Sequence, residues 1–301
     1  MSTLHAESRA ANADEQAPIG IICGSGALPF AVADAALRSG RTVYLLGIKG
    51  WADADAIARF PHNWILLGQF GRLQRLLTAQ GCRDVVFIGG LLRPAFRSAL
   101  RSVRLDLATL RLLPHLYRAF RGGDDHLLTG IGRIFEANGF RLIGAHEIAP
   151  EILAVAGPLG RQQANEKQLA DAAHGFALID AIAPFDIGQA VVVADNRIVA
   201  VEAAEGTDAM LARVDEMRER GRVTTPKGVG VLVKAAKRTQ DRRFDLPSIG
   251  PTTIELVARA GLAGIALRAG EVIVAKPDAV AAAADAAGLF VVGVPSPAPP
   301  A

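Results

Sequence analysis

Ile19 to Cys23 is apolar apart from one glycine, and it gives way at once to Gly24-Ser25-Gly26 and a helix-forming stretch from about Pro29 to Ser39. This order, strand then glycine turn then helix, constrains the fold more than any other feature because it recurs. Thr42 to Leu46 reads as a second strand, Leu73 to Ala79 as part of a helix, and Asp84 to Ile88 as a third strand ending in Gly89-Gly90. Strands separated by helices predict right-handed βαβ units and a parallel sheet. Composition agrees, since hydrophobic residues make up 50% of the chain and aromatic ones only 5%. Small aliphatic side chains must then fill the interior, as when helices cover a parallel sheet on both faces.

With 301 residues the chain has room for two domains with separate cores. Arg93 to Arg121 reads as mostly helical, with Pro114 as a break, followed by a helix from Gly122-Gly123-Asp124-Asp125 to about Ala137 and a strand over Phe140 to Ile143. Helical and strand periodicity then fades, and Pro150, Gly157, Pro158 and Gly160 punctuate the sequence. We therefore expect a leader at 1–17 outside the fold, a first domain at 18–148, a linker at 149–164, a second domain at 165–294 and a Pro-rich tail at 295–301. In the second domain Ala190 to Val193 and Ile198 to Val201 are separated only by Ala194-Asp195-Asn196-Arg197. Strands joined that closely form a hairpin, so the second sheet is mixed.

A formal charge of +3 gives no argument for nucleic acid, and none is expected as a partner. Two cysteines, Cys23 and Cys82, suggest neither a disulfide framework nor a zinc site and fit a reducing cytosol. No run of about 20 apolar residues predicts a membrane span. Arg93, Arg97, Arg101, Arg104, Arg111 and Arg118 recur at helical spacing among leucines. Such a face either touches an anionic leaflet or is simply solvated.

The glycine turn lets the backbone approach a ligand, and the helix start behind it favours an anion. A dinucleotide fingerprint fits poorly, because Pro29 replaces its third glycine and Leu45-Leu46-Gly47-Ile48 stands where an acidic ribose ligand is expected. A tight turn without a ligand is the plainer reading. Glu202, Glu205 and Asp208 follow a strand directly, where carboxylates can hold a hard cation through oxygen ligands. Helix capping accounts for one of these acids but not for Glu202 and Glu205 together. Asp245 sits in a second charged stretch, Asp241 to Gly250, with Arg242, Arg243, Lys234 and Lys237 nearby in sequence. It reads equally as a site for metal or water and as a solvated turn. Asp124-Asp125 reads as a helix cap or a ligand contact. The histidines show no metal-ligand spacing, and no nucleophile elbow or phosphate-binding lysine loop is present.

Six segments in order carry a resemblance: Ile21 to Pro29, Gly122 to Asp125, Gly144-Ala145-His146-Glu147, Asp186-Ile187-Gly188-Gln189, Val201 to Leu211, and Asp245-Leu246-Pro247-Ser248-Ile249-Gly250. Together they resemble the LpxI-type UDP-2,3-diacylglucosamine pyrophosphatases of lipid A synthesis, over nearly everything from Ile19 to Val294. That resemblance implies an α/β protein with a Rossmann-like N-terminal parallel-sheet domain, a C-terminal mixed α/β domain and a ligand cleft between them. It implies Mg2+-dependent hydrolysis of a lipid-linked UDP-sugar to UMP and 2,3-diacylglucosamine 1-phosphate, water attacking the β-phosphorus. It further implies an enzyme that is cytoplasmic or peripheral at the inner membrane, and a homodimer is a separate expectation.

The family's essential aspartate corresponds to Asp245. On that basis Glu202, Glu205, Asp208 and Asp245 are the expected metal ligands. Gly24, Ser25, Gly26, Ala27 and Leu28 are expected to contact the nucleotide or sugar-phosphate, and Lys234, Lys237 and Arg243 to balance phosphate charge. Asp124, Asp125, Gln189, Gly206, Thr207 and Thr252 are further expected substrate contacts. A nicotinamide-dependent oxidoreductase and a non-catalytic nucleotide-sugar-binding protein are the alternatives.

Overall fold

The computed structural model describes residues 17–90, 104–112, 124–238 and 241–296. Most of the expected leader and tail, and Arg93, Arg97, Arg101 and Arg118, lie outside the described residues. The chain divides into two compact units, Met1–Pro150 with Arg243–Asp245, and Glu151–Arg242 with Leu246–Ala301.

The first unit runs β1 (Ile19–Cys23), α1 (Leu28–Arg38), β2 (Val43–Ile48), α2 (Ala54–Ile57), β3 (His62–Ile65), α3 (Phe70–Ala79), β4 (Asp84–Ile88), α4 (Asp124–Ala137), β5 (Arg141–Leu142) and α5 (Ala145–Ile148). Its five strands are all parallel, in the order β3-β2-β1-β4-β5. That is the Rossmann-like order, with the chain running outward from β1 on one side and returning as β4 on the other. β1 lies between β2 and β4, and all five of its residues are buried, which is why its sequence carries no polar side chain.

β2 runs on through Gly47 and Ile48, past the expected end at Leu46. Gly47 is required there, since a Cβ would come within 2.8 Å of both Ile57 and Trp64. β3 has no counterpart in the sequence reading, because only one of its four residues is buried and it sits at the sheet edge. Of the expected helix over Arg93 to Arg121, residues 104–106 are not helical and 107–112 are. Phe244 joins this unit by packing on Phe87, with ring centroids 5.3 Å apart, and on Gly132, where a Cβ would stand 2.8 Å from the ring.

The second unit runs β6 (Gly157–Pro158), α6 (Glu166–Ile182), β7 (Ala190–Ala194), β8 (Arg197–Val201), α7 (Gly206–Glu219), β9 (Val231–Lys234), β10 (Ser248–Ile249), α8 (Pro251–Arg259), β11 (Gly264–Arg268), β12 (Ile273–Val274), α9 (Pro277–Ala287) and β13 (Phe290–Val294). Six strands form a mixed sheet, β6-β13-β11-β9-β7-β8. β9, β11 and β13 are parallel, while β7 runs antiparallel to β9 and to β8. The hairpin turn places Asp195 and Asn196 at φ 49° and 60°, the left-handed pair that matches strand twist. Buried Asp171 of α6 accepts both turn N–H groups, at 3.1 and 2.6 Å.

Apolar clusters cover both faces of this sheet, one built around Leu232, Ile254 and Ile265 and the other around Phe176, Ile179 and Val233. The expected linker at 149–164 differs from what is observed. Residues 151–164 belong to the second unit, where Gly157-Pro158 pairs with Val292 and Gly293 and Leu153 bridges Ile273. Gly293 permits that pairing, because a Cβ would fall 1.9 Å from the Val155 carbonyl oxygen. Two-residue strands carry no periodicity, so sequence alone could not show them. Among the described residues no helix is long and apolar enough to cross a membrane.

Candidate functional site

At the carboxyl ends of β1 and β4 the expected glycine turn is locked to a second one. The Gly24 N–H donates to the Ile88 carbonyl at 2.9 Å, and Ser25 and Gly90 exchange backbone hydrogen bonds at 2.9 and 3.0 Å. The Ser25 hydroxyl donates to the Gly90 carbonyl as well, at 2.9 Å. A Cβ on Gly24 would stand 2.7 Å from the carbonyl oxygens of Gly89 and Gly90, so only glycine allows this approach. Two expected ligand donors, the N–H groups of Gly24 and Ser25, are thus committed within the protein. Beyond them α1 begins, where Ala27 is the cap residue without a side-chain cap and Gly26, at φ +94°, has open space around it. Asp124 and Asp125 open α4.

Asp245 is half-buried and lies in the non-helical stretch after Phe244. Its neighbour Arg243 donates to Glu136 of α4 at 2.7 Å, so that guanidinium already meets a carboxylate. The thiols offer no nucleophile, because burial pushes Cys23 up to about 12 and Cys82 up to about 11.

In the second unit, four expected site residues are joined by hydrogen bonds. Glu202, just past β8, accepts the Gln189 N–H on Oε2 at 2.9 Å and the Thr207 hydroxyl on Oε1 at 3.0 Å. Thr207, in the first turn of α7, accepts in turn from Lys234 Nζ at 2.8 Å. Lys234 ends β9, and only 7% of it is exposed. Gly188 brings the Gln189 loop against Glu202, since a Cβ there would lie 2.2 Å from the Glu202 carbonyl oxygen. Lys237, also buried, donates to Asp186.

The other acidic residues look elsewhere. Glu205 stands at the cap position of α7 and accepts from Arg213 at 2.7 Å and from the Ala203 N–H at 3.2 Å. Its own backbone N–H, and then Arg213, hold its carboxyl below the usual range. Asp208 is exposed in the same turn, below Gly206. Thr252 is exposed in the first turn of α8, where its neighbour Thr253 instead caps the Gly250 N–H at 3.3 Å.

Glu202, Glu205, Asp208 and Asp245 are the expected metal ligands. Among the described residues no group of three or more His, Cys, Asp or Glu is placed to hold a metal ion. The oxygens of Glu202 and Glu205 are already turned toward protein donors, so these residues do not fit an all-protein magnesium cage. Asp186, part of a quoted segment but given no role there, partners Lys237. Arg268, absent from the sequence reading and 4% exposed at the end of β11, donates to Asp180 at 3.3 Å and stacks 4.4 Å over Phe176. A charged residue closing an apolar run was the available signal for Arg268.

Comparison with known proteins gives a consistent result over both units. Residues 18–152 match the family model for the LpxI N-terminal domain, and residues 155–292 that for the LpxI C-terminal domain. The UDP-2,3-diacylglucosamine pyrophosphatase LpxI of Caulobacter vibrioides is 41% identical over 276 residues, covering 92% of this chain and 97% of that protein. Likeness to solved structures is slight. A UDP-glucose 4-epimerase of Thermus thermophilus in complex with NAD is 12% identical, covering 92% of this chain and 86% of that one, with a TM-score of 0.28. A GalE-like L-threonine dehydrogenase from Cupriavidus necator is 13% identical, covering 91% and 94%, also with a TM-score of 0.28. Neither carries an argument about this protein.

Proposed function

Because the chain belongs to the LpxI family, we propose that it hydrolyses the pyrophosphate bond of UDP-2,3-diacylglucosamine in lipid A synthesis, releasing UMP and 2,3-diacylglucosamine 1-phosphate. The observation that carries this reading is the 41% identity to a relative of that name along 92% of the chain, with both domain models matched. In the proposed reaction water attacks the β-phosphorus, a new P–O bond forms there, and the bridging P–O bond breaks with UMP as leaving group. Asp245 orients the water and takes its proton. Lys234 and Lys237, buried cations at and just past the end of β9, offset charge on the phosphoryl oxygens. Gly26 and the start of α1, beyond the two committed N–H groups, supply backbone contacts to the nucleotide or sugar-phosphate.

Magnesium is proposed to arrive with the diphosphate, since this ion is commonly held by substrate phosphates and only one or two carboxylates. Contact with an anionic inner-membrane surface through the arginine-rich segment belongs to the same proposal; the segment's described part, residues 104–112, includes Arg104 and Arg111. Loss of sedimentation with anionic vesicles on charge reversal at Arg104 and Arg111 is its expected signature.

UMP release by the wild type and by Asp245→Asn, with magnesium and then with EDTA, tests the reaction. The expected result is turnover in the wild type alone, abolished by the chelator, with Asp245→Asn reduced by about 1,000-fold or more. Near-wild-type turnover by Asp245→Asn would remove that carboxylate from the chemistry. A folded wild type that releases no UMP would overturn the reading in favour of a nucleotide-sugar-binding protein.

A further inference from the structure

Glu202 stands where a metal ligand was expected, yet both its oxygens are turned to protein donors. Oε2 accepts the Gln189 N–H at 2.9 Å and Oε1 the Thr207 hydroxyl at 3.0 Å. The direction of the next bond is fixed by chemistry. An ammonium group has donors only, so in the 2.8 Å contact between Lys234 Nζ and Thr207 Oγ1 the hydroxyl must accept. The single hydroxyl proton is then left for Glu202. Carboxylate, hydroxyl and ammonium form a one-way chain in which Glu202 orients Thr207, and Thr207 presents a lone pair to Lys234.

The geometry points to Glu202 and Thr207 as positioning residues that hold the Lys234 ammonium ready for a phosphoryl oxygen. This inference rests on the hydrolase reading for its kinetic consequence, but not for the geometry of the chain. A lysine head group sits on a flexible four-carbon stem, and fixing it normally costs side-chain entropy at the moment of binding. Burial of Lys234 to 7% exposure restricts the stem, and the Thr207 contact aims the head. The base of the chain is rigid for a separate reason. The Glu202 N–H donates to the Ala190 carbonyl at 2.9 Å, continuing the β7–β8 pairing, and Gly188 packs on the Glu202 carbonyl where no side chain fits. Neither Glu202 nor Thr207 needs to touch substrate for this role. It also explains why two acids so close in sequence behave differently, since Glu205 turns outward to Arg213 at 2.7 Å.

The test uses the full-length protein carrying Glu202→Gln, Thr207→Val, Thr207→Ser or the pair Glu202→Gln with Thr207→Val. Thr207→Val removes both the lone pair and the proton without changing size. It is expected to lower kcat/KM by about 10- to 100-fold, the effect of losing a hydrogen bond to a charged group, and Thr207→Ser to recover most of that loss. Glu202→Gln is expected to reduce it less. The pair should be no worse than Thr207→Val alone, because one chain is cut in either place.

A metal ligand at Glu202 would instead raise the magnesium concentration needed for half-maximal activity in Glu202→Gln. The relay leaves that concentration unchanged. Additive losses in the pair, or a raised magnesium requirement, would overturn the inference.

A readout independent of activity is the 13Cε resonance of Lys234 in lysine-labelled protein, identified by its loss in Lys234→Met. It should move in Thr207→Val and in Glu202→Gln, in folded samples checked by thermal melting. A resonance that stays in place would sink the relay even in an active enzyme. If the wild type released no UMP while the resonance moved as expected, the hydrolase reading would fail and the relay would stand.

Discussion

The two units finish their sheets in opposite ways. In the first, the carboxyl ends of β1 and β4 are closed mainly by backbone, with Gly24 bonded to Ile88, Ser25 to Gly90, and one added bond from the Ser25 hydroxyl to Gly90. Its buried charge lies at the other end of β4, where Asp84 accepts from Arg141 at 2.7 Å and Arg41 at 2.9 Å. In the second unit the carboxyl ends themselves carry buried cations, Lys234 on β9 and Arg268 on β11, each held by side chains. One unit can meet an anion with backbone N–H groups at a helix start, the other with aimed ammonium and guanidinium groups. The first needs glycine and close approach; the second needs a supporting partner for every charge it buries.

The contrast breaks most sharply at Gly89. Its φ of +99° lies in the region that favours glycine, and a Cβ would stand 2.7 Å from the Ser25 carbonyl oxygen. Gly89→Ala is expected to lose about 3 kcal/mol of stability, from left-handed backbone strain and overpacking together. Denaturant unfolding would show it, and a loss under about 1 kcal/mol would mean the seam can open without cost.

A smaller effect is expected at the charged end of the same strand. Burial opposes ionisation of Asp84, but hydrogen bonds and charge from Arg141 and Arg41 outweigh it and hold the carboxyl below its ordinary value. A depressed folded-state value contributes stability above the unfolded value of about 3.9, and that contribution is lost as pH falls through the folded value. Asp84→Asn is therefore expected to cost about 2 kcal/mol at neutral pH, less than for a fully dry pair because Arg141 stays largely exposed. The gap between variant and wild type should narrow below about pH 4. A gap independent of pH would mean that packing, not charge, is what Asp84 supplies.

How far each device was legible depends on the range of its interactions. The glycine turn announces itself because Gly24 and Gly26 bend the chain within a few positions, although its lock to Gly90, 65 residues later, leaves no local mark. The β7–β8 hairpin was legible for the same reason, through Asp195 and Asn196. Asp84 joins Arg41, 43 residues earlier, and Arg141, 57 later, and nothing local marks either partner. Edge strand β3 escaped because it buries little, and β10 because two residues inside Leu246-Pro247-Ser248-Ile249-Gly250 read as a loop. The cluster at Glu202, Glu205 and Asp208 is legible in the sequence, but the partners of Glu202 and Glu205 are not. Proximity in sequence placed three acids together, whereas the directions of Glu202 and Glu205 depend on Thr207, Arg213 and the Gln189 N–H.

That distinction gives the smallest expected effect. Arg213 donates to Glu205 at 2.7 Å, with 44% and 33% of the two side chains exposed. A pair so open to solvent is worth about 0.5 kcal/mol or less, since water screens the attraction and two side chains must be held still. Arg213→Ala should accordingly shift the unfolding free energy by no more than that, and half the shift should vanish in about 0.5 M salt as screening shortens the reach of the charge. It also frees Glu205 from its guanidinium partner. If Glu205 were a metal ligand restrained by Arg213, the variant would bind magnesium more tightly than wild type by titration calorimetry. Unchanged magnesium binding would assign Glu205 to the start of α7, leaving Glu202 as the acid whose orientation matters.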